Sequence, residues 1–144
     1  MSFSIRPALP EDADAIMFLL TRAYAKAVAE IPNLPDVTGG VTEEIAAGHV
    51  WVVEGVGLLG VLMMATNGEH AHLMNVASDP AARGMGVGKA LIAHAEDLAQ
   101  NSGHSEIHLA THKDMGSNVA LYRALGYEVT HESGVKVMMR KFLR

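Results

Sequence analysis

A mixed α/β sheet with helices on both faces is the fold class that this 144-residue sequence predicts. Three observations carry it. "HVWVVE" and "LLGVLMMAT" are β-rich runs joined by the glycine-flanked "GVG", a hairpin signal. "AHLMNVAS", a glycine-rich turn, a long helical pattern and "EIHLAT" form a strand-helix-strand crossover. A further helix and a closing pair of β-rich runs follow it. With 49% apolar and 19% charged residues, the chain reads as one globular domain over residues 1–144 with one core.

The elements follow in order. "SFSIRPA" reads as a short strand, and "LPEDADAIMFLLTRAYAKAVAE" as a helix with Pro10 and acids in its first turn. Ile16, Leu19, Leu20, Ala23 and Ala27 make its apolar stripe at spacings of three and four. "IPNLPDVTGG" is a loop, and "VTEEIAAG" a short helix ending at Gly48. After the hairpin, "AHLMNVAS" is stopped by Asp79-Pro80, and the long helix runs to a C-cap at Gly103. "SNVALYRAL" is a helix closed by Gly126, and "YEVTHE" pairs with "VKVMMRKFL" around Ser133-Gly134. No repeat, low-complexity tract or linker interrupts this order.

Charge and composition exclude several function classes. A formal charge of −5 argues against a nucleic-acid partner, which calls for a basic stripe. The basic group Lys136, Arg140, Lys141 and Arg144 reads as a solvated strand edge or tail. The absence of cysteine excludes disulfides, thiolate metal sites and an acyl-cysteine intermediate. "MSFSIRP" has no signal-peptide pattern, and the longest apolar run, Val56 to Ala65, falls well short of the ~20 residues of a membrane helix. The expectation is a cytoplasmic protein without membrane contact, with a homodimer left open.

Gly84, Gly86 and Gly88 in "ARGMGVGKALIAHAEDLA" raise a sharper question, because alanines there would cost the chain less entropy. A dinucleotide fingerprint needs a G-x-G-x-x-G spacing and a second half-domain, and fewer than sixty residues remain. A P-loop needs Ser or Thr after Gly88-Lys89, where Ala90 stands, and a first glycine where Arg83 stands. What remains is a strand ending at Pro80 and a loop of bare amides at a helix N-terminus, flanked by Arg83 and Lys89. That is a diphosphate cradle, since no Cβ blocks approach and the helix dipole favours an anion.

"DPAARGMGVGKALI" resembles motif A of the GNAT superfamily of acyl-CoA-dependent N-acyltransferases, whose fixed positions are filled by Arg83, Gly86 and Gly88. "MNVASDP" resembles the strand before that motif, and "SNVALYRALGY" resembles a later family box of the form L-Y-x-x-x-G-F. The recognisable motifs cover residues 70 to 127, while the first seventy match in element pattern only. The resemblance implies a mostly antiparallel sheet of six or seven strands, with a central parallel pair near residues 71–78 and 106–111 that splays at its C-terminal ends. It implies acetyl-CoA as co-substrate, its pyrophosphate held by Arg83, Gly84, Met85, Gly86, Val87, Gly88 and Lys89. Val76, Ala77 and Ser78 would hydrogen-bond the pantetheine arm through their backbone.

The same resemblance makes Tyr122 the proton donor to the departing thiolate. A phenol of pKa about 10 can protonate a thiolate whose conjugate acid lies near 8.5. The alternative is a buried tyrosine that caps the core. The family's usual asparagine, seven residues before the tyrosine, is replaced by Met115, and Asn118 stands four before it. Asn118 either contacts the cofactor or caps the helix. His72 occupies the position where some histone-modifying relatives place a catalytic glutamate; it is a candidate base with a pKa near 6.5, or a residue that packs at the strand's start. His112 is next in line.

Eight histidines invite a metal reading. His70 and His72 share one strand face, as do His108 and His112, so a pair on neighbouring strands is conceivable. No compact motif such as H-E-x-x-H is present, and no native metal is expected. The expected reaction is direct attack of a neutral amine, from a small molecule or a peptide, on the thioester. "EIPNLPDVTGGVTEE" would line the acceptor site, and Glu43, Glu69 and Asp114 are carboxylates that either recognise a cationic amine or are solvated loop residues. The alternative function is a non-catalytic acyl-CoA-binding regulatory module of the same fold.

Overall fold

The computed structural model describes residues 3–34 and 36–143; Pro35 of the first long loop and Arg144 of the basic group lie outside them, as do Met1 and Ser2. The strands are β1 (Ser4–Pro7), β2 (Val50–Gly55), β3 (Gly57–Ala65), β4 (Ala71–Ser78), β5 (Glu106–His112), β6 (Glu128–Ser133) and β7 (Lys136–Phe142). The helices are α1 (Ala13–Ala23), α2 (Ala25–Glu30), α3 (Val41–Ala46), α4 (Val87–Asn101) and α5 (Gly116–Ala124). The strands pair in the order β1-β2-β3-β4-β5-β7-β6, so the last hairpin inserts β7 beside β5. Contacts group the chain into two compact units, and β4 and α4 each contribute to both.

The first unit takes the chain up to Met64 together with Asn75–His94. β2 and β3 form the expected hairpin, turning at Gly57 with φ +76°, and β1 pairs antiparallel with the outer side of β2. Ile16, Leu19 and Leu20 of the predicted stripe pack with Val41, Ile45, Val52, Val61 and Ala77. The single helix expected over residues 9–30 is instead a 3-10 turn (Pro10–Asp12) followed by α1 and α2, broken at Tyr24. At the break Tyr24 sits at φ −102°, ψ 6°, and its hydroxyl donates to Asn75 Oδ1 on β4.

The second unit takes Ala65–Met74 and the chain from Ala95 onward. β4 and β5 run parallel, pairing Ala71 with Ile107, His72 with His108 and Leu73 with Leu109. Met74 and Ala110, the next register position, are not paired with each other. Alternation puts Ile107, Leu109, Val137 and Met139 in the core and leaves Glu106, His108 and Arg140 on the other face. Of the C-terminal basic residues Lys136 is exposed, as expected, while Arg140 and Lys141 are ion-paired. Arg140 pairs with Glu128 at 3.1 Å and Glu106 at 3.7 Å, and Lys141 pairs with Glu96 at 2.9 Å. Among the described residues, no helix is long and apolar enough to cross a membrane.

One polar knot fastens the sheet edge to α1. Arg6 on β1 forks onto Asp12 at 2.8 and 3.1 Å and reaches Glu54 on β2 at 3.2 Å, while the Leu9 amide donates to Asp12 at 2.7 Å. The Arg6 hydrogen bonds hold the Asp12 carboxyl below its ordinary pKa. A lowered carboxyl pKa contributes stability above the unfolded value of about 3.9, and that contribution is lost as pH falls through the folded value. Asp12→Asn should therefore cost roughly 1–3 kcal/mol at pH 7. The difference from wild type should shrink in urea melts below about pH 4. A difference constant from pH 7 to pH 3 would show that the carboxylate charge does not contribute.

Candidate active site

The cradle residues lie together in the first unit. β4 ends at Ser78, and the Asp79 amide donates to Leu59 O of β3 at 2.8 Å. The Asp79 side chain accepts from the Ala81 amide at 2.9 Å and pairs with Arg22 of α1 at 3.2 Å. Asp79 thus starts the 3-10 turn Pro80–Ala82 and ties the entry of the glycine loop to α1. The Arg22 hydrogen bond, then that of Ala81, hold its carboxyl below the ordinary range.

Gly84 and Gly86 have φ values of +84° and +78°, in the left-handed region that favours glycine, and nothing lies within 4 Å of a Cβ built on either. Gly88 is different: a Cβ there would meet only Ser78 Oγ, at an ordinary 3.6 Å. The amides of Gly84 and Gly86 donate no hydrogen bond among the described residues. Val87, Gly88 and Lys89 supply the first amides of α4, which have no carbonyl partner within the helix. Ala90 is the first residue whose amide finds one, Gly86 O at 3.0 Å. Arg83 and Lys89 are exposed beside this row of donors. Unpartnered amides, a helix N-terminus and two cations fit a diphosphate.

Gly60, which sequence reasoning passed over, sets where α4 begins. A Cβ on it would lie 2.6 Å from Val87 Cγ1 and 3.1 Å from both Ala77 O and Leu91 Cδ1. A glycine inside a β-rich run signals close backbone approach, and that signal was present. Gly60→Ala should lower stability by roughly 1–3 kcal/mol, because Val87 is stiff and Ala77 O is backbone. Denaturant melts that agree with wild type within about 0.5 kcal/mol would show that α4 does not depend on this contact.

Tyr122, Asn118 and His72 belong to the second unit. Tyr122 on α5 is buried, and burial pushes its pKa up to about 12, so the phenol stays protonated at neutral pH. Among the described residues its hydroxyl has no hydrogen-bond partner, and its ring meets Tyr127 edge-on at 5.6 Å. Tyr127, which sequence reasoning did not single out, fits the core-capping role. Its hydroxyl donates to Glu96 at 3.1 Å, which leaves it fixed in place.

Asn118 does not cap α5. Met115 is the N-cap, and Asn118 stands in the first helical turn with its amide nitrogen 3.9 Å from Met115 Sδ. His72 is exposed on β4, opposite His108 in the register. Partial desolvation and then His108 lower its pKa below 6.5, so the ring is neutral at pH 7. His112 is less suited to be a base, because its Nδ1 accepts the Asp114 amide at 3.1 Å. Glu43 and Glu69 are exposed, and Asp114 is exposed beside His112.

With this geometry in view, comparison with known proteins gives a consistent result. A match to the acetyltransferase (GNAT) family extends over residues 16–127, and the chain belongs to that family. It is 28% identical over 135 residues to human N-acetyltransferase 8B, covering 88% of this chain and 59% of that relative's length. Its fold is similar to the PaiA N-acetyltransferase of Thermoplasma acidophilum in complex with coenzyme A, with a TM-score of 0.88, 19% identity and 99% of each chain covered. It is also similar to Naa20 of Chaetomium thermophilum in complex with a bisubstrate analogue, with a TM-score of 0.73 and 20% identity over 97% of this chain and 86% of that one.

Proposed function

We propose that this protein transfers an acetyl group from acetyl-CoA to a primary amine, by direct attack and without a covalent enzyme intermediate. The observation that carries the reading is the set of unpartnered amides of Gly84, Gly86, Val87, Gly88 and Lys89 around two left-handed glycines, with only the Met85 amide between them tied to Ala82 O at 3.2 Å, in a chain of this family. Similarity to a coenzyme A complex and to a bisubstrate-analogue complex supports the donor and a peptide or small-molecule amine as acceptor.

Acetyl-CoA supplies the acetyl group as a thioester. Arg83 and Lys89, with the amides between them, hold the pyrophosphate through charge and N–H donation. Val76, Ala77 and Ser78 offer backbone groups to the pantetheine arm. Asn118, in the first turn of α5, contributes a polar side chain to the same cofactor. In the transfer an N–C bond forms as the C–S bond breaks. His72 takes the proton that the incoming ammonium must lose, and Tyr122 gives its proton to the departing sulfur. The unpartnered hydroxyl of Tyr122 favours this role over core capping and favours an enzyme over a silent acyl-CoA-binding module.

Two substitutions test these roles in chelator-treated protein with a panel of amines, read by release of free CoA thiol. Tyr122→Phe keeps the ring packed and should lower turnover by roughly 10²–10⁴-fold with CoA affinity nearly constant. His72→Gln should lower kcat/KM by roughly 10-fold or more, again with little change in CoA affinity. Unchanged turnover in Tyr122→Phe would return that residue to packing, and unchanged kcat/KM in His72→Gln would place the base elsewhere.

A further inference from the structure

The structure sorts the eight histidines of the chain. His49 pairs with Glu44, His104 bonds the Thr66 carbonyl, and His112 accepts the Asp114 amide. His94 sits edge-on to Trp51, and His131 is exposed on β6. The remaining three gather where β4 and β5 pair.

The parallel register builds this cluster. His72 lies opposite His108, and Ala71 opposite Ile107. His70 immediately precedes β4, and Glu106 is the first residue of β5. Residues two apart on a strand share a face, so Glu106 and His108 project to the same side. The His70 and His108 rings stack, with centroids 4.2 Å apart and planes 8° from parallel. Glu106 Oε1 lies 3.0 Å from His108 Nε2. One ligand atom from each of His70, Glu106 and His108 falls within 4.8 Å of the other two.

We propose that His70, Glu106 and His108 form a binding site for a divalent transition-metal ion, with zinc as the natural occupant. Two imidazoles and one carboxylate are a borderline-soft set suited to zinc, with water completing four ligands. Tetrahedral bonds of 2.0–2.1 Å place ligand atoms about 3.3 Å apart, so the cluster needs only a modest contraction. The two rings must leave their stack by turning about χ2, since parallel planes cannot both aim a lone pair at one ion. His70 precedes β4 and is exposed, which leaves it free to make that turn.

The charged neighbour of the cluster is a cation that already has another partner. Glu106 faces Arg140 on β7 at 3.7 Å, but Arg140 Nε is held by Glu128 of β6 at 3.1 Å. The guanidinium therefore keeps a carboxylate partner when Glu106 turns towards the ion. The proposal does not depend on the transferase reaction.

Tag-free protein stripped with chelator and titrated with zinc chloride by calorimetry tests the site, with cobalt absorption as a second readout. One zinc should bind per chain with a Kd at or below about 10 µM, and cobalt should give the intense visible bands of a four-coordinate site. His70→Ala, in an exposed position, should fold as wild type by circular dichroism and bind zinc at least tenfold more weakly. His108→Gln should do the same, while His131→Ala should bind as wild type. Wild-type affinity no better than about 1 mM, or full affinity in His70→Ala, would overturn the proposal.

Discussion

The first turn of α4 lies so close to β3 that the residue facing it has no room for a side chain. Gly60 accepts Val87 and Leu91 at distances a Cβ would violate, and the carbonyl of Ala77 on β4 closes the same space. This contact places the start of α4 against two strands. Asp79 fixes the other end of the connection, through Leu59 O, the Ala81 amide and Arg22. Between these anchors the chain must turn through Gly84 and Gly86 with positive φ, and their amides emerge without protein partners. The proposed cradle is thus a product of packing beneath it as much as of the glycines themselves.

The two tyrosines around α5 show how environment separates structure from chemistry. Both are buried and they touch edge to face. Tyr127 gives its hydroxyl to Glu96, which also takes Lys141, so one carboxylate ties α4, β7 and the end of α5 together. Tyr122 has the same chemistry and no such partner among the described residues.

Much of the fold was legible because local rules decide it. The turns at Gly57, Gly103, Gly126 and Gly134 all require positive φ, and Asp79-Pro80 ends β4 where a proline must. The glycine segment and the later Tyr122 box carried the family assignment, and a match over residues 16–127 agrees. What could not be read depends on partners distant in sequence. The break at Tyr24 falls in a run of good helix formers, at a residue whose hydroxyl bonds Asn75, fifty-one residues on. By sequence Asn118 is open between a cofactor contact and a helix cap, and the N-cap is instead Met115, three residues earlier. The stack of His70 on His108 follows from the register of two parallel strands, which neither strand's own sequence specifies.

The most direct measurement is calorimetric titration of coenzyme A into wild type, Gly86→Asn and Gly86→Asp. Asparagine tolerates the left-handed conformation and has nearly the shape of aspartate, so the pair separates backbone strain from charge. The account predicts that Gly86→Asp binds more than tenfold more weakly than wild type, with Gly86→Asn between them, because a carboxylate there repels the pyrophosphate. Equal affinity in all three proteins would contradict a cradle at Gly84–Lys89.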